Sequence, residues 1–203
     1  MTKQIGVLIS GRGSNLQALI DAGRAGELGG EIAVVISNNE DAPGLDRARR
    51  GGIAAVFRDY RGRRREEYDD QLRQILTHHG VDLVCLAGYM RLLSPPFIHA
   101  FAGRIVNVHP SLLPAFPGLD AQRQAWEHGA KVSGATVHLV DDGLDSGPIV
   151  AQEAVLVEES DTVAGLAARI LAAEHRIYPR AVRALLERGY RLEGRRLVLR
   201  GTP

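Results

Sequence analysis

Short apolar runs alternate with stretches of helical period along most of the chain. "IGVLIS" (5–10) is followed by "SNLQALIDAGRAG" (14–26), in which Leu16, Leu19 and Ile20 recur at helical spacing. "EIAVVIS" (31–37) precedes a helix that Pro43 starts and Gly51 or Gly52 ends. "IAAVF" (53–57) predicts a third strand and "RREEYDDQLRQILTHHG" (64–80) a third helix closed by Gly80. "VDLVCLAG" (81–88) and "GRIVNVH" (103–109) predict strands four and five, with a short helix in "SPPFIHAF" between them. Continuous apolar strands separated by helices predict an α/β fold: a Rossmann-like, mostly parallel sheet with helices on both faces.

The rhythm changes after residue 118. A helix around "DAQRQAWEHG" leads to two strands within "GATVHLVDDGLDSGPIVAQEAVLV" (134–157), joined by a Gly-rich acidic loop. A long helix follows over 162–188, and the tail "GYRLEGRRLVLRGTP" predicts a small hairpin turning at Glu193-Gly194. No repeat, low-complexity tract or linker interrupts the chain, so it reads as a single domain over 1–203, with halves of about 1–100 and 101–203.

Composition narrows the class without naming a chemistry. The hydrophobic fraction of 45% and charged fraction of 24% are those of a globular protein. With 25 basic and 24 acidic residues the formal net charge is +1, so no global field recruits nucleic acid or an anionic membrane. The one cysteine, Cys85, excludes a disulfide within the chain and suits a reducing compartment. The N-terminus enters a strand-like run without a signal segment, and no stretch approaches ~18 uninterrupted apolar residues. A cytoplasmic location is the expectation. The charge run "RGRRREE" (61–67) reads first as a solvated helix start.

Two strand ends carry candidate chemistry. In "ISGRGSNLQ", Gly11 and Gly13 let the backbone approach a ligand, while Ser14 and Asn15 are expected to cap the first helix, whose free N–H groups face an anion. A dinucleotide fingerprint would need glycine at position 16, where this chain has Leu16, so a single phosphate fits better than NAD. In "IVNVHPSLLPAFPG" (105–118), Ile105, Asn107 and His109 share one face of a strand while Val106 and Val108 take the other. At about 3.3 Å per residue, the Asn107 and His109 side chains leave the backbone roughly 6.6 Å apart, close enough for one reacting group to touch both. Asn107 suits a developing oxyanion and His109 can move a proton near neutral pH. A carboxylate should set the histidine charge, and Asp141, Asp142 and Asp145 of "DDGLDSGP" are all candidates. Metal chemistry is disfavoured, because the seven histidines show no H-E-x-x-H pattern and one cysteine builds no thiolate site. Ser111 lacks the G-x-S-x-G elbow of a hydrolase nucleophile.

The segments "ISGRGSNLQ", "LAGYMRLLSP", "NVHPSLLPAFPG", "DDGLDSGPI" and "EHRIYP" occur together and in order. In this the chain resembles, over essentially its whole length, the phosphoribosylglycinamide formyltransferases, folate-dependent transformylases of purine synthesis. The resemblance implies formyl transfer from 10-formyltetrahydrofolate to the amine of glycinamide ribonucleotide. It selects Asp145 as the carboxylate, giving Asn107, His109 and Asp145 as the catalytic set. It also implies that Gly13, Ser14 and Asn15 hold the substrate phosphate and that Glu174 lies near the ribose. For the folate it implies Met90, Arg91, Leu92 and Leu93, with Asn107, Asp141 and the 141–145 loop, and it gives Arg65 a place near the same ligand. A cis bond is implied at Leu113–Pro114. No metal, nucleic acid or membrane is implied; the partners are small molecules, and the assembly a monomer or homodimer.

One departure stands out. Family members often carry histidines just after "PGL", whereas this chain has Asp120, Ala121 and Gln122, so any role in ordering water there is lost or passes to Asp120 or Gln122. Related enzymes sharing the Asn, His and Asp set fit less well. A methionyl-tRNA formyltransferase would continue into an RNA-binding domain, and a formyltetrahydrofolate deformylase would begin with a regulatory one. A Rossmann-type nucleotide sensor explains the glycine loop but not the Asn–His pair, and Leu16 disfavours an NAD-dependent oxidoreductase.

Overall fold

A computed structural model of the chain describes residues 2–201. Its contacts divide it into two units, one running to Val106 and the other beginning at Asn107.

The first unit alternates strand and helix as its periodicity predicts. Strands β1 (Gln4–Ile9), β2 (Glu31–Ser37), β3 (Ala54–Phe57) and β4 (Leu83–Leu86) stand in the order β3-β2-β1-β4. The pairs β1–β2, β1–β4 and β2–β3 are all parallel. Ile5, Val7, Leu8 and Ile9 of the central β1 are all fully buried, which requires cover on both faces of the strand. Helices α1 (Ser14–Arg24), α2 (Pro43–Arg50), α3 (Arg65–His78) and α4 (Pro95–Ala100) supply the connections. Pro43 and Pro95 each occupy the first helical turn, where the missing N–H costs no helical bond. Strand β4 is shorter than the apolar run 81–88 suggests, because the chain turns to irregular backbone at Ala87 and reaches Gly88 with φ 72°.

Strand β5 (Ile105–His109) leads into the second unit, which continues with α5 (Ala121–Glu127), β6 (Val132–Leu139), β7 (Ile149–Leu156) and α6 (Val163–Arg188). Here β6 lies next to β5 and pairs on its other side with β7, antiparallel, which adds an antiparallel edge to an otherwise parallel pattern. Helix α6 starts at Thr162, whose hydroxyl accepts the Gly165 N–H at 3.1 Å. It packs on β6 and β7 through an apolar stripe that includes Leu166, Ile170, Ile177 and Leu185. The tail forms the expected hairpin, β8 (Tyr190–Glu193) with β9 (Arg196–Leu199). Among the described residues no helix is long and apolar enough to cross a membrane.

Candidate active site

The loop after β1 is built mostly by backbone. Gly13 is the N-cap of α1, in the left-handed region at φ 70°, and Ser14 and Asn15 are the first helical residues. This corrects the expected capping role: neither side chain caps the helix, which has no side-chain cap bond. The first turn of α1 begins beside the loop without a side-chain cap, and a helix N-terminus is where an anion is favoured. The two glycines also differ. A Cβ on Gly13 would lie 2.7 Å from the Gly44 Cα at the start of α2, whereas one on Gly11 would meet nothing within 4 Å. Gly13 is thus required by the close passage of two backbone segments and by its dihedral, and Gly11 leaves open space.

The segment from 88 to 94 is tied to the same strand end. The Ser10 N–H donates to the Gly88 carbonyl at 3.1 Å, and the Ser10 hydroxyl accepts the Met90 N–H at 2.9 Å. Met90 and Leu92 are exposed, 68% and 63%, so two apolar side chains are left for a ligand to cover, while Leu93 is buried. Arg91 lays its guanidinium 4.0 Å from the centre of the Tyr60 ring and 5.3 Å from that of Tyr68. Burial pushes the Asp69 carboxyl up, opposed by the Ser94 N–H at 2.6 Å and by the charges of Arg91 and Arg65. Arg65 itself is exposed, at the first position of α3.

In the second unit Asn107, His109 and Asp145 come together. His109 is buried, and its Nε2 lies 2.9 Å from the Phe116 carbonyl, which can only accept, so Nε2 carries a proton. Its Nδ1 faces the Asp145 Oδ2 at 3.4 Å. Asp145 is held in turn by the Gly118 N–H, which donates to Oδ2 at 2.8 Å, and by its own backbone at φ 48°. Phe116 and Asp120 also have positive φ, 53° and 54°, so left-handed backbone gathers in the segments that present the site.

His138 was not among the expected residues, yet it completes this group. Its Nδ1 lies 2.9 Å from the Leu139 carbonyl and therefore donates; its Nε2 accepts from Asn107 Nδ2 at 3.2 Å. Burial is the main cause that pushes the His138 ring down from its ordinary value and keeps it neutral. Its Nε2 lone pair faces the Asp145 Oδ1 at 3.7 Å and makes no ion pair with it. The effect is to fix the Asn107 amide with its nitrogen toward the imidazoles and one N–H still to give. The β6 register slips between Val137 and His138, an irregularity that re-aims a side chain at a strand end. The signal lay in "GATVHLV", where Thr136 and His138 share a strand face just as Asn107 and His109 do.

The loop between β5 and α5 is fixed by a separate polar network. Thr136 Oγ1 donates to the Ser111 carbonyl at 2.7 Å and accepts the Leu113 N–H at 3.0 Å. Gln152 Nε2 donates to the Leu113 carbonyl at 2.9 Å. The Ser111 hydroxyl, fully buried, donates to the Ala115 carbonyl at 2.6 Å and so serves the loop rather than a nucleophile's role. The Leu113–Pro114 bond is cis. At the departure 120–122, Asp120 is the exposed N-cap of α5 and makes no side-chain cap. The loop is instead braced by Gln124, whose Nε2 donates to the Leu119 carbonyl at 2.7 Å. Asp141 organises its own loop: Oδ1 accepts from the Gly143 N–H at 3.1 Å and the Ser146 hydroxyl at 2.7 Å. Arg195 of the tail hairpin donates to the Ser146 carbonyl. Glu174 is buried on α6. Among the described residues no group of three or more His, Cys, Asp or Glu side chains is arranged to hold a metal ion.

An amide, two imidazoles and a carboxylate gather at the end of β5 and β6, and residues 3–182 match the family described as Formyl transferase; the chain belongs to that family. It is 46% identical over 179 residues to phosphoribosylglycinamide formyltransferase of Escherichia coli, covering 85% of this chain and 82% of the relative. It is 47% identical over 180 residues to human trifunctional purine biosynthetic protein adenosine-3, covering 88% of this chain but spanning only 18% of that longer protein. The crystal structure of glycinamide ribonucleotide transformylase 1 from Symbiobacterium toebii superposes with a TM-score of 0.96 at 56% identity, over 98% of this chain and 95% of that one.

Proposed function

We propose that this chain transfers the formyl group of 10-formyltetrahydrofolate to the amine of glycinamide ribonucleotide, giving formylglycinamide ribonucleotide and tetrahydrofolate in purine synthesis. The observation that carries the reading is a buried His109, held at Nε2 by the Phe116 carbonyl with Nδ1 toward Asp145, beside an Asn107 amide held by neutral His138. Two groups so held suit the oxygen of a formyl group as it becomes an oxyanion. The names of the relatives supply the ribonucleotide and the formyl group, and the resemblance read from the sequence supplies the folate donor.

In the proposed reaction the substrate amine attacks the formyl carbon and charge collects on its oxygen. The second Asn107 N–H and the positive charge of a protonated His109 stabilise that oxygen; one such group is worth ~10²–10³ in rate. The His109 Nε2–H stays on the Phe116 carbonyl, so the ring cannot turn away. Asp145 balances the imidazolium and takes the proton that the attacking nitrogen loses, directly or through a water. The folate N10 gains that proton, passed on from Asp145, as its bond to the formyl carbon breaks. Gly13, Ser14 and Asn15 hold the ribonucleotide phosphate by backbone N–H groups, and Glu174 contacts the ribose. Met90 and Leu92 give apolar contact to the folate, with Leu93 beneath them and Arg65, Arg91 and Asp141 as its polar neighbours. The chain works on small molecules in the cytoplasm.

The test is the absorbance change on mixing the protein with glycinamide ribonucleotide and 10-formyldideazafolate. Formyl transfer that needs both substrates is expected. No turnover with a folded protein and both substrates present would refute the assignment.

A further inference from the structure

The loop after β1 is gripped by an arginine of α2 that the reading above does not use. Arg47 Nε donates to the Arg12 carbonyl at 2.9 Å, and a second guanidinium nitrogen donates to Gln17 Oε1 at 3.1 Å. One planar group therefore spans the loop between its two glycines and the first turn of α1. The Gly44 N–H adds a bond to the Gly11 carbonyl at 3.2 Å, and the Gly13 and Gly44 backbones pass in direct contact. Gln17 is itself tied on both sides: its N–H donates to the Gly13 carbonyl at 2.9 Å and its Nε2 to Asp21 at 2.9 Å.

The consequence concerns the amides of Ser14 and Asn15. A loop with glycine at 11 and 13 is free to adopt many conformations, and α1 has no side-chain cap to hold its first turn. We propose that Arg47 is a positioning residue for the ribonucleotide phosphate, holding the loop from outside so that the α1 amides converge before the substrate arrives. Lysine cannot replace it fully, because only the planar fork reaches two acceptors in fixed geometry. The inference rests on the reading that residues 13–15 bind phosphate.

The experiment measures steady-state constants for both substrates, and competitive inhibition by inorganic phosphate, for Arg47→Ala, Arg47→Lys and Gln17→Ala. Arg47→Ala should raise the ribonucleotide KM and the phosphate inhibition constant about tenfold, the loss of a charge-assisted bond, with folate KM and kcat unchanged. Arg47→Lys should recover part of the loss. Gln17→Ala should shift the same constant by a smaller factor, and the pair should be less than additive. Equal changes for both substrates, or an unchanged ribonucleotide KM, would overturn the proposal. Ser14→Asp, which sets a carboxylate against the proposed anion at the start of α1, separates the two layers. If that variant raises the ribonucleotide KM while Arg47→Ala does not, the phosphate loop stands and the clamp fails. If neither variant moves it, the phosphate reading itself fails.

Discussion

The loop after β1 and the end of β5 each prepare a polar site, and they do so with opposite materials. The first relies on main-chain N–H groups, two glycines of unlike surroundings and a helix end without a side-chain cap. The second relies on side chains: two imidazoles, one amide and one carboxylate, each held by a neighbouring carbonyl, N–H or ring nitrogen. A backbone site holds an anion and can do little else. A side-chain site in low dielectric can change its charge during a reaction. Damage to the first should therefore appear in KM for one substrate, and damage to the second in kcat.

The largest effect expected is in the second region. On the proposed mechanism His109→Ala removes a group that stabilises the oxyanion, so kcat should fall by at least ~10²–10³. Adding Asn107→Ala should cost much less than a second such factor, since the two act as a unit. A full multiplicative loss in single-turnover measurements would separate them.

Next come the two glycines, which sharpen the contrast inside the first region. Gly13→Ala places a Cβ against the Gly44 Cα and forces alanine to φ 70°. The two together should cost about 2–5 kcal/mol, a Tm loss of roughly 5–15 °C in a scan against wild type. Gly11→Ala meets open space and should leave Tm within about 1 °C while raising the ribonucleotide KM, if a phosphate approaches there. A destabilised Gly11→Ala would show that the two glycines are alike after all.

Smaller again is the pH effect of the buried imidazoles. Burial lowers both His138 and His175 from 6.5, so between the folded and unfolded values the unfolded chain binds more protons. Stability is then flat above pH 6.5 and falls as pH drops through the folded value. His138→Gln should remove up to about 1.4 kcal/mol per pH unit of that slope and leave the His175 share. Denaturant midpoints from pH 7.5 to 5 give the comparison; an unaltered slope would mean His138 is not the buried neutral ring described.

What could be read from sequence follows the same division. The parallel layout, the hairpin tail and the shared face of Asn107 and His109 were legible because each depends on periodicity of two or 3.6 and on turn residues. The cis Leu113–Pro114 bond and the choice of Asp145 came from resemblance. Capping at the first helix was misread because Ser14 is a good N-cap by type, but the close passage of Gly44 puts Gly13 in that position. His138 shares a strand face with Thr136 in the sequence, but its lowered pKa follows from burial and its aim from a register slip in β6, which periodicity does not show. Arg47 was hidden for a similar reason: it is one of several arginines on a short helix, and only the fold brings it to the Arg12 carbonyl.

The division of labour is tested most directly by kcat and both KM values of Asp145→Asn. The amide can still accept the Gly118 N–H, but it cannot balance an imidazolium or take up the amine's proton. The account predicts a kcat reduced by ~10² or more, with the ribonucleotide KM within about twofold of wild type. An Asp145→Asn enzyme with wild-type kcat, or one whose whole defect is a raised ribonucleotide KM, would contradict it.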